Sequence, residues 1–501
     1  MHPDTKSLRS LPLSDRLTPD ALEQATLPVD FVVGPEVRQR VAACRDFTVR
    51  CLIEGRPVYG ATTGFGPLAA FPGREDSAAQ CDNVLNHLVA GQGDDLAPSV
   101  VRAALVVRLW SLCQGRSGVS LGVIDALCAA LRTPFAPAVP QYGSVGASGD
   151  LIPLAYAARA LQGQGHAYLG AERLPAAQAL SRAGLTPLEL DGRDALALVN
   201  GTSLTAASAG LALAQLQRSY TTALTLTACL ADLLGCTLAF LAPSLLDAFG
   251  HPDAVQAART LRDRLDGSVP SGTRPLQEPY SIRCSPQLLG ASGASLGHAA
   301  RVIHDDLNGV SDNPLFFAEE DLIAHGGNFF GQPVAFAADL LSITATQIGN
   351  LAERQLDLLL DPHRNGGLPP MLAVEPGRQH GVQGVQLTAT ATVAAMRRCA
   401  IPASVQSLPT NGHNQDVVPF GTQAALTALT QAQHLRGLHG SLALALRQAA
   451  YLTQRRPTAP GCASVLNQLA CLLPPVDPDR PLDGDVRRAA DLLDELARAE
   501  E

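Results

Sequence analysis

Three long proline-free segments dominate the second part of the chain: Thr202 to Leu241, Val334 to Leu360 and Thr422 to Gln454. Within them Leu341, Ala345, Ile348 and Ala352, and further on Leu435, Leu438, Leu442 and Leu446, recur at three- and four-residue intervals. That period places apolar side chains on one face of a helix. Asn200-Gly201 precedes the first segment and Pro243 follows it, Pro333 and Pro362 bracket the second, and Pro457 bounds the third, all of them helix stop or start signals. Lengths of roughly 30 to 40 residues, against a usual mean of about 11–12, predict a bundle of long helices. Residues 1–199 read as mixed and loop-rich, and a charged terminal helix, Asp485 to Glu500, follows the turn Pro481 to Gly484. The pattern therefore predicts a mainly α chain, with an N-terminal region 1–199 and long helices plus C-terminal helices in 200–501, in one integrated fold.

Composition sharpens this picture. Of the 501 residues 46% are hydrophobic but only 4% aromatic, with alanine and leucine dominant, which favours closely packed helices. The net charge of −9 leaves no basic stripe for nucleic acid. The start Met1-His2-Pro3-Asp4, with Asp15 and Arg16 soon after, lacks the basic end and apolar core of a signal peptide, so a cytoplasmic location is expected. The longest uncharged stretch, Ala195 to Gln217, contains Asn200, Thr202, Ser203, Thr205, Ser208 and Gln215 and is too polar for a membrane span. Eleven cysteines include no CxxC pair. Cys44 with Cys51 and Cys229 with Cys236 are seven apart, on one helix face each, so buried free thiols are expected and no metal site.

The chemistry sits in the breaks between helices. In Gly143-Ser144-Val145-Gly146-Ala147-Ser148-Gly149-Asp150-Leu151 a small tripeptide, Ala147-Ser148-Gly149, lies between glycines. Glycine opens backbone conformations closed to other residues. The amide nitrogen of Gly149 can then reach the carbonyl carbon of Ala147 and close a five-membered ring, and loss of water from Ser148 leaves a methylidene-imidazolone. A plain glycine-rich turn or an anion-binding nest explains the same run. Tyr59 to Gly66 is a glycine-hinged loop, Gln277 to Arg283 precedes a helix, and Asn411 to Asp416 forms another loop. Polar loops among apolar helices are where binding residues concentrate, though each also serves as a helix cap.

Taken together these loops resemble the aromatic amino acid ammonia-lyase and aminomutase family, which includes histidine, phenylalanine and tyrosine ammonia-lyases. The resemblance spans nearly the whole chain. It is carried by Tyr59 to Gly66, His87-Leu88 before Gly91-Gln92-Gly93, Gly146 to Leu151, Leu198 to Thr202, Gln277 to Arg283, Asp312-Asn313-Pro314, His325 to Phe329, Gly367 to Pro370 and Asn411 to Asp416. It implies a long-helix bundle of the ammonia-lyase type, and a cofactor, 4-methylidene-imidazol-5-one, formed from Ala147, Ser148 and Gly149 with no metal or added group. It also implies a homotetramer whose sites draw loops from three subunits, acting on a small aromatic amino acid.

Removing ammonia from an α-amino acid requires taking a weakly acidic β-proton and expelling an amine that leaves poorly. An electrophile addresses the amine. Tyr59 is the candidate base, since a phenol of ordinary pKa about 10 is strongly basic once ionised, held so by nearby cationic or donor groups; Gly60 lets its loop approach. Arg283 suits the substrate carboxylate through a bidentate fork. Asn200, Tyr280 and Gln277 complete a set of donors of the oxyanion-hole kind. Leu151, Asn313, Asn328, Phe329, Asn411 and Gln415 resemble pocket-lining positions, with Asn313 and Asn328 equally suited to turns. His87-Leu88 is similar to the pair in tyrosine-using members, and an imidazole can bond a phenol hydroxyl where a phenyl ring cannot. Gln415 stands where histidine-specific members carry a carboxylate, and Asn411 where plant phenylalanine-specific ones carry glutamate. The expected reaction is L-tyrosine to trans-4-coumarate and ammonia. The alternatives are a tyrosine 2,3-aminomutase, a phenylalanine or histidine ammonia-lyase, and, outside enzymes, a helical anion-binding scaffold.

Overall fold

Chain contacts in the computed structural model divide into two units. The first comprises Met1–Ala214, Ala300–Asp339 and Pro402–Leu426, the second Gln215–Ala299, Leu340–Ile401 and Thr427–Glu501. Residues 8–12, 16–453 and 455–500 are described; Met1 to Asp4, Asp15 and Gln454 lie outside them. The fold is mainly α.

The three expected long helices run over Ser203–Leu234, Gln332–Leu360 and Gly421–Leu452, and a fourth over Ser285–Leu307. The first stops earlier than the absence of proline predicts. Gly235, at φ 67°, turns the chain, and the Cys236 amide bonds back to the Ala231 carbonyl at 2.9 Å, the αL cap that glycine makes easy. Cys236 thus lies beyond the helix and shares no helix face with Cys229, although both are buried free thiols, as are Cys44 and Cys51 on the helix Pro35–Ile53. The terminal helix covers Asp483–Arg498, two residues earlier at each end than its charge pattern predicts. Among the described residues no helix is long and apolar enough to cross a membrane.

Residues 1–199 hold more helix than the pattern reveals. Pro19–Ala25, Pro35–Ile53 and Pro98–Leu112 each begin at a proline, which serves as a helix first residue because its missing N–H would be unbonded there anyway. Pro98–Leu112 is buried on every side from Val100 to Leu112, so no amphipathic period marks it. Its Arg102 is buried yet satisfied, donating to the carbonyls of Thr26, Leu27, Leu131, Thr133 and Phe135, and burial pulls this guanidinium down to about 10.

Small sheets position the loops of the first unit. In the antiparallel hairpin Leu315–Phe317 and Leu322–Ala324, Leu315 pairs with Ala324. Asp312-Asn313 and His325 therefore come together at one end. Asp312 is held by Arg193 through two bonds of 3.0 Å, with both side chains 0% exposed. The guanidinium also lies 5.3 Å over the ring of Phe316. Asp312→Ala strands a buried guanidinium and is expected to cost about 3–5 kcal/mol. Thermal denaturation should show a fall of several degrees, and an unchanged transition would refute the role of this pair.

Candidate active site

The loop before the helix Leu151–Leu161 is folded tightly on itself. Gly146 and Gly149 both have left-handed backbone, φ 74° and 66°, and Gly149 is bridged to Gly146, Ala147 and Gly201. A side chain on Gly149 would run into the Gly201 backbone, so only glycine fits. The Asp150 amide donates to the Gly201 carbonyl at 2.8 Å. Beneath the loop the buried Asp150 carboxyl accepts from Thr205 N at 2.9 Å, Thr205 Oγ1 at 2.8 Å, Thr422 Oγ1 at 2.6 Å and Ser144 Oγ at 3.1 Å. Burial pushes this carboxyl above the usual range, against the pull of those bonds. Ala147 is buried, while Ser148 is half-buried with its Oγ accepting from Gln415 Nε2 at 2.8 Å.

Ser148 opens on a cavity of about 580 Å³ in the first unit, lined among others by Tyr59, Phe65, His87, Leu88, Gly149, Leu151, Asn200, Asn411 and Gln415. None of the described lining residues is an Asp, Glu, Lys or Arg. Tyr59 Oη accepts the Gly66 N–H at 2.8 Å, and the Tyr59 amide meets His325 Nε2 at 3.3 Å. The ring of Phe65 meets that of Tyr59 edge-on at 5.9 Å and stacks on the His87 imidazole at 5.5 Å. His87 and Leu88 are in the last turn of the helix Ser77–Leu88, which Asp76 caps by accepting the Ala79 amide at 2.7 Å. Asn200 is held through its carbonyl, which accepts from the buried Arg108 Nη1 at 2.5 Å, while its Oδ1 is buried with no hydrogen-bond partner among the described residues. A free buried acceptor on a residue that lines the same cavity as Ser148 is unusual in a finished core.

Other expected site residues lie elsewhere. Gly60 is buried behind the cavity: a Cβ there would come within 2.5 Å of Leu196 and Phe65, so its role is to admit the Phe65 ring. Asn313 is buried and its Oδ1 accepts the Gly326 amide at 2.8 Å. Asn328 is exposed and Phe329 half-buried, and neither these two nor Asn313 line the cavity of this chain. Gln277, Tyr280 and Arg283 belong to the second unit. There the short helix Tyr280–Arg283 places the guanidinium 4.6 Å over the Tyr280 ring, Tyr280 is 71% exposed, and Arg283 Nε has no hydrogen-bond partner among the described residues. The loop before it is fastened by the Arg274–Glu278 ion pair, Nε to Oε1 at 2.9 Å. Sequence reasoning passed over Asn83 and Leu196, both of which line the cavity; Asn83 stands four residues before His87 and so on the same helix face.

The family model for aromatic amino acid lyases matches residues 17–470. The chain belongs to that family. A histidine ammonia-lyase of Symbiobacterium thermophilum is 37% identical over 97% of each chain. A tyrosine ammonia-lyase of Cereibacter sphaeroides is 41% identical over 92% of each. Among solved structures, a tyrosine aminomutase of Streptomyces globisporus superposes with a TM-score of 0.91 at 31% identity, over 98% of this chain and 99% of that one. This aromatic amino acid lyase is accordingly an enzyme of the carbon–nitrogen lyase class, and a mere anion-binding scaffold is set aside.

One expectation needs correction. The Tyr59 phenol has a donor beside it, the Gly66 N–H, but no Lys or Arg among the described cavity residues, and burial pushes its pKa up overall. Its phenolate forms at higher pH than an ordinary tyrosine's. In an ultraviolet difference titration of the lyase against Tyr59→Phe, the tyrosinate signal should rise with a midpoint above about 10. A midpoint below that value would mean that the working enzyme brings a cation to this phenol.

Proposed function

We propose that this lyase converts L-tyrosine to trans-4-coumarate and ammonia with a 4-methylidene-imidazol-5-one formed from Ala147, Ser148 and Gly149. The turn supports that group: Gly149 is folded against Gly146 and Ala147, no side chain fits at Gly149, and Ser148 faces the cavity. Once formed, it supplies an electrophile that makes the substrate amine a better leaving group. On this reading residues 1–199 bear the cofactor and residues 200–501 the helical frame. Tyr59 takes the β-proton, its phenolate stabilised by the Gly66 N–H. Asn200 offers its side-chain amide to the reacting end of the substrate, and Leu88 and Leu151 form apolar wall.

The observation that carries the substrate is His87, which lines the same cavity as Tyr59 and Ser148 and can meet a phenol hydroxyl. Gln415, a neutral carboxamide bonded to Ser148, gives an imidazolium side chain no counter-charge, which favours tyrosine over histidine. The likeness to a tyrosine aminomutase keeps one second reading in view, return of the amine to the β-carbon, which depends on how long the acrylate stays enclosed.

The described walls of the cavity offer the substrate carboxylate no charged partner. We infer that a neighbouring copy in a cytoplasmic homotetramer supplies Arg283, with Tyr280 and Gln277, and that Asn313, Asn328 and Phe329 shape the closed site. Mixing inactive Tyr59→Phe with inactive Arg283→Ala should then restore part of the activity; no recovery after co-refolding would count against sharing.

The substrate test is direct. Protein whose intact mass is two waters below the encoded value, given tyrosine, phenylalanine and histidine separately, should release mainly coumarate, with acrylate resolved from β-amino acid. In His87→Phe the tyrosine hydroxyl loses its partner, a penalty on the order of 1–3 kcal/mol, and the kcat/KM ratio should swing toward phenylalanine. An unchanged ratio would remove His87 from the substrate pocket.

A further inference from the structure

We propose that Phe65 and the main-chain carbonyl of Asn83 hold His87 as a fixed hydrogen-bond acceptor, so that the site takes aromatic amino acids whose ring carries a donor at the para position. The inference rests on the cavity being the site for the substrate ring. His87 Nδ1 lies 3.0 Å from the Asn83 carbonyl oxygen. A carbonyl only accepts, so Nδ1 carries the hydrogen, and a neutral imidazole has one N–H. Nε2 is thereby left with its lone pair. The other tautomer would set two acceptors against each other at Asn83.

One hydrogen bond does not fix the plane of a ring on an exposed turn. Phe65 does, stacking on the imidazole with the two planes 23° apart. The Phe65 ring is set in turn by the space left at Gly60 and by its edge-on contact with Tyr59 at 90°. The same ring thus touches the proposed base and the proposed selector. Phe65 itself is a positioning residue: its effect on substrate passes through His87.

Binding can be measured apart from chemistry by inhibition with four cinnamates: 4-hydroxy, 4-amino, 4-fluoro and unsubstituted. Fluorine has about the size of a hydroxyl and donates nothing. The wild-type enzyme should bind the hydroxy and amino compounds about tenfold more tightly than the fluoro and plain ones. Phe65→Leu should erase most of that ratio and Phe65→Tyr, which keeps the stack, should retain it. Combining Phe65→Leu with His87→Phe should lower the ratio no further than His87→Phe alone. A fluoro compound bound as tightly as the hydroxy one overturns the fixed acceptor even if Phe65→Leu does not fold. Equal loss of affinity for all four in Phe65→Leu makes Phe65 a packing residue only. Wild-type enzyme that binds hydroxy and plain cinnamate alike, while deaminating histidine, would instead sink the tyrosine reading on which this rests.

Discussion

The site hangs on one buried carboxyl. Asp150 receives donors from Ser144, Thr205 and Thr422, and its own amide is tied to Gly201. Three stretches of chain meet there: the Gly143 to Leu151 loop, Gly201 to Thr205, and Thr422. Each bond is modest alone, but leaving any of these buried groups unpaired costs more than the bond gains, so the cluster is stable only when complete. Its completion forces the Gly143 to Gly149 loop down onto Gly201, which is why the tripeptide is bent where the proposed ring closure requires bending.

That carboxyl is also what the sequence hides best. Asp150 stands next to a helix start and reads as an ordinary first-turn acid, while Thr205 and Thr422 read as small polar residues inside long apolar helices. Their partnership spans 55 and 272 residues, and no local period records it. By contrast the three long helices follow from period and proline, except that the first ends at Gly235 and not before Pro243. Pro98–Leu112 escaped for the opposite reason: it is buried all round, and uniform burial leaves no face to detect. Among the site residues, Tyr59, His87, Leu88, Leu151, Asn200, Asn411 and Gln415 were legible as motifs and share one cavity with Ser148 and Gly149. Phe65 lay within a motif, but its stacking on His87, 22 positions on, has no signature. Asn313 illustrates the ambiguity of asparagine: its side chain ties the two sides of the hairpin end together by accepting the Gly326 amide.

The distribution of charge is what the proposed sharing of the site between copies rests on. A free amino acid carries two charges, and the described walls of the cavity carry none. An uncharged wall suits an aromatic ring, and on the proposed reading it leaves recognition of the carboxylate, which substrate and product both carry, to a group brought from elsewhere. Arg283 suits that role, because its Nε is unpaired among the described residues and its plane rests on an exposed tyrosine ring. A guanidinium already stacked loses less freedom on meeting a carboxylate than a free side chain would.

The environment of Tyr59 looks at first opposed to its proposed role, because burial disfavours the phenolate. The opposition is between the amount of base and its strength. A raised pKa leaves fewer molecules ionised at a given pH, yet each phenolate formed is a better proton acceptor. Because strength grows by less than the ionised population falls, the raised pKa is a net cost to the proposed role. The Gly66 N–H, fixed at 2.8 Å from the oxygen, moderates the cost by bonding the charged form without placing a full positive charge nearby. A neighbouring lysine would make the phenolate abundant and weak. A backbone amide in a half-buried loop offsets only part of the burial cost, so at a given pH less of the proposed base is ionised than of an ordinary tyrosine.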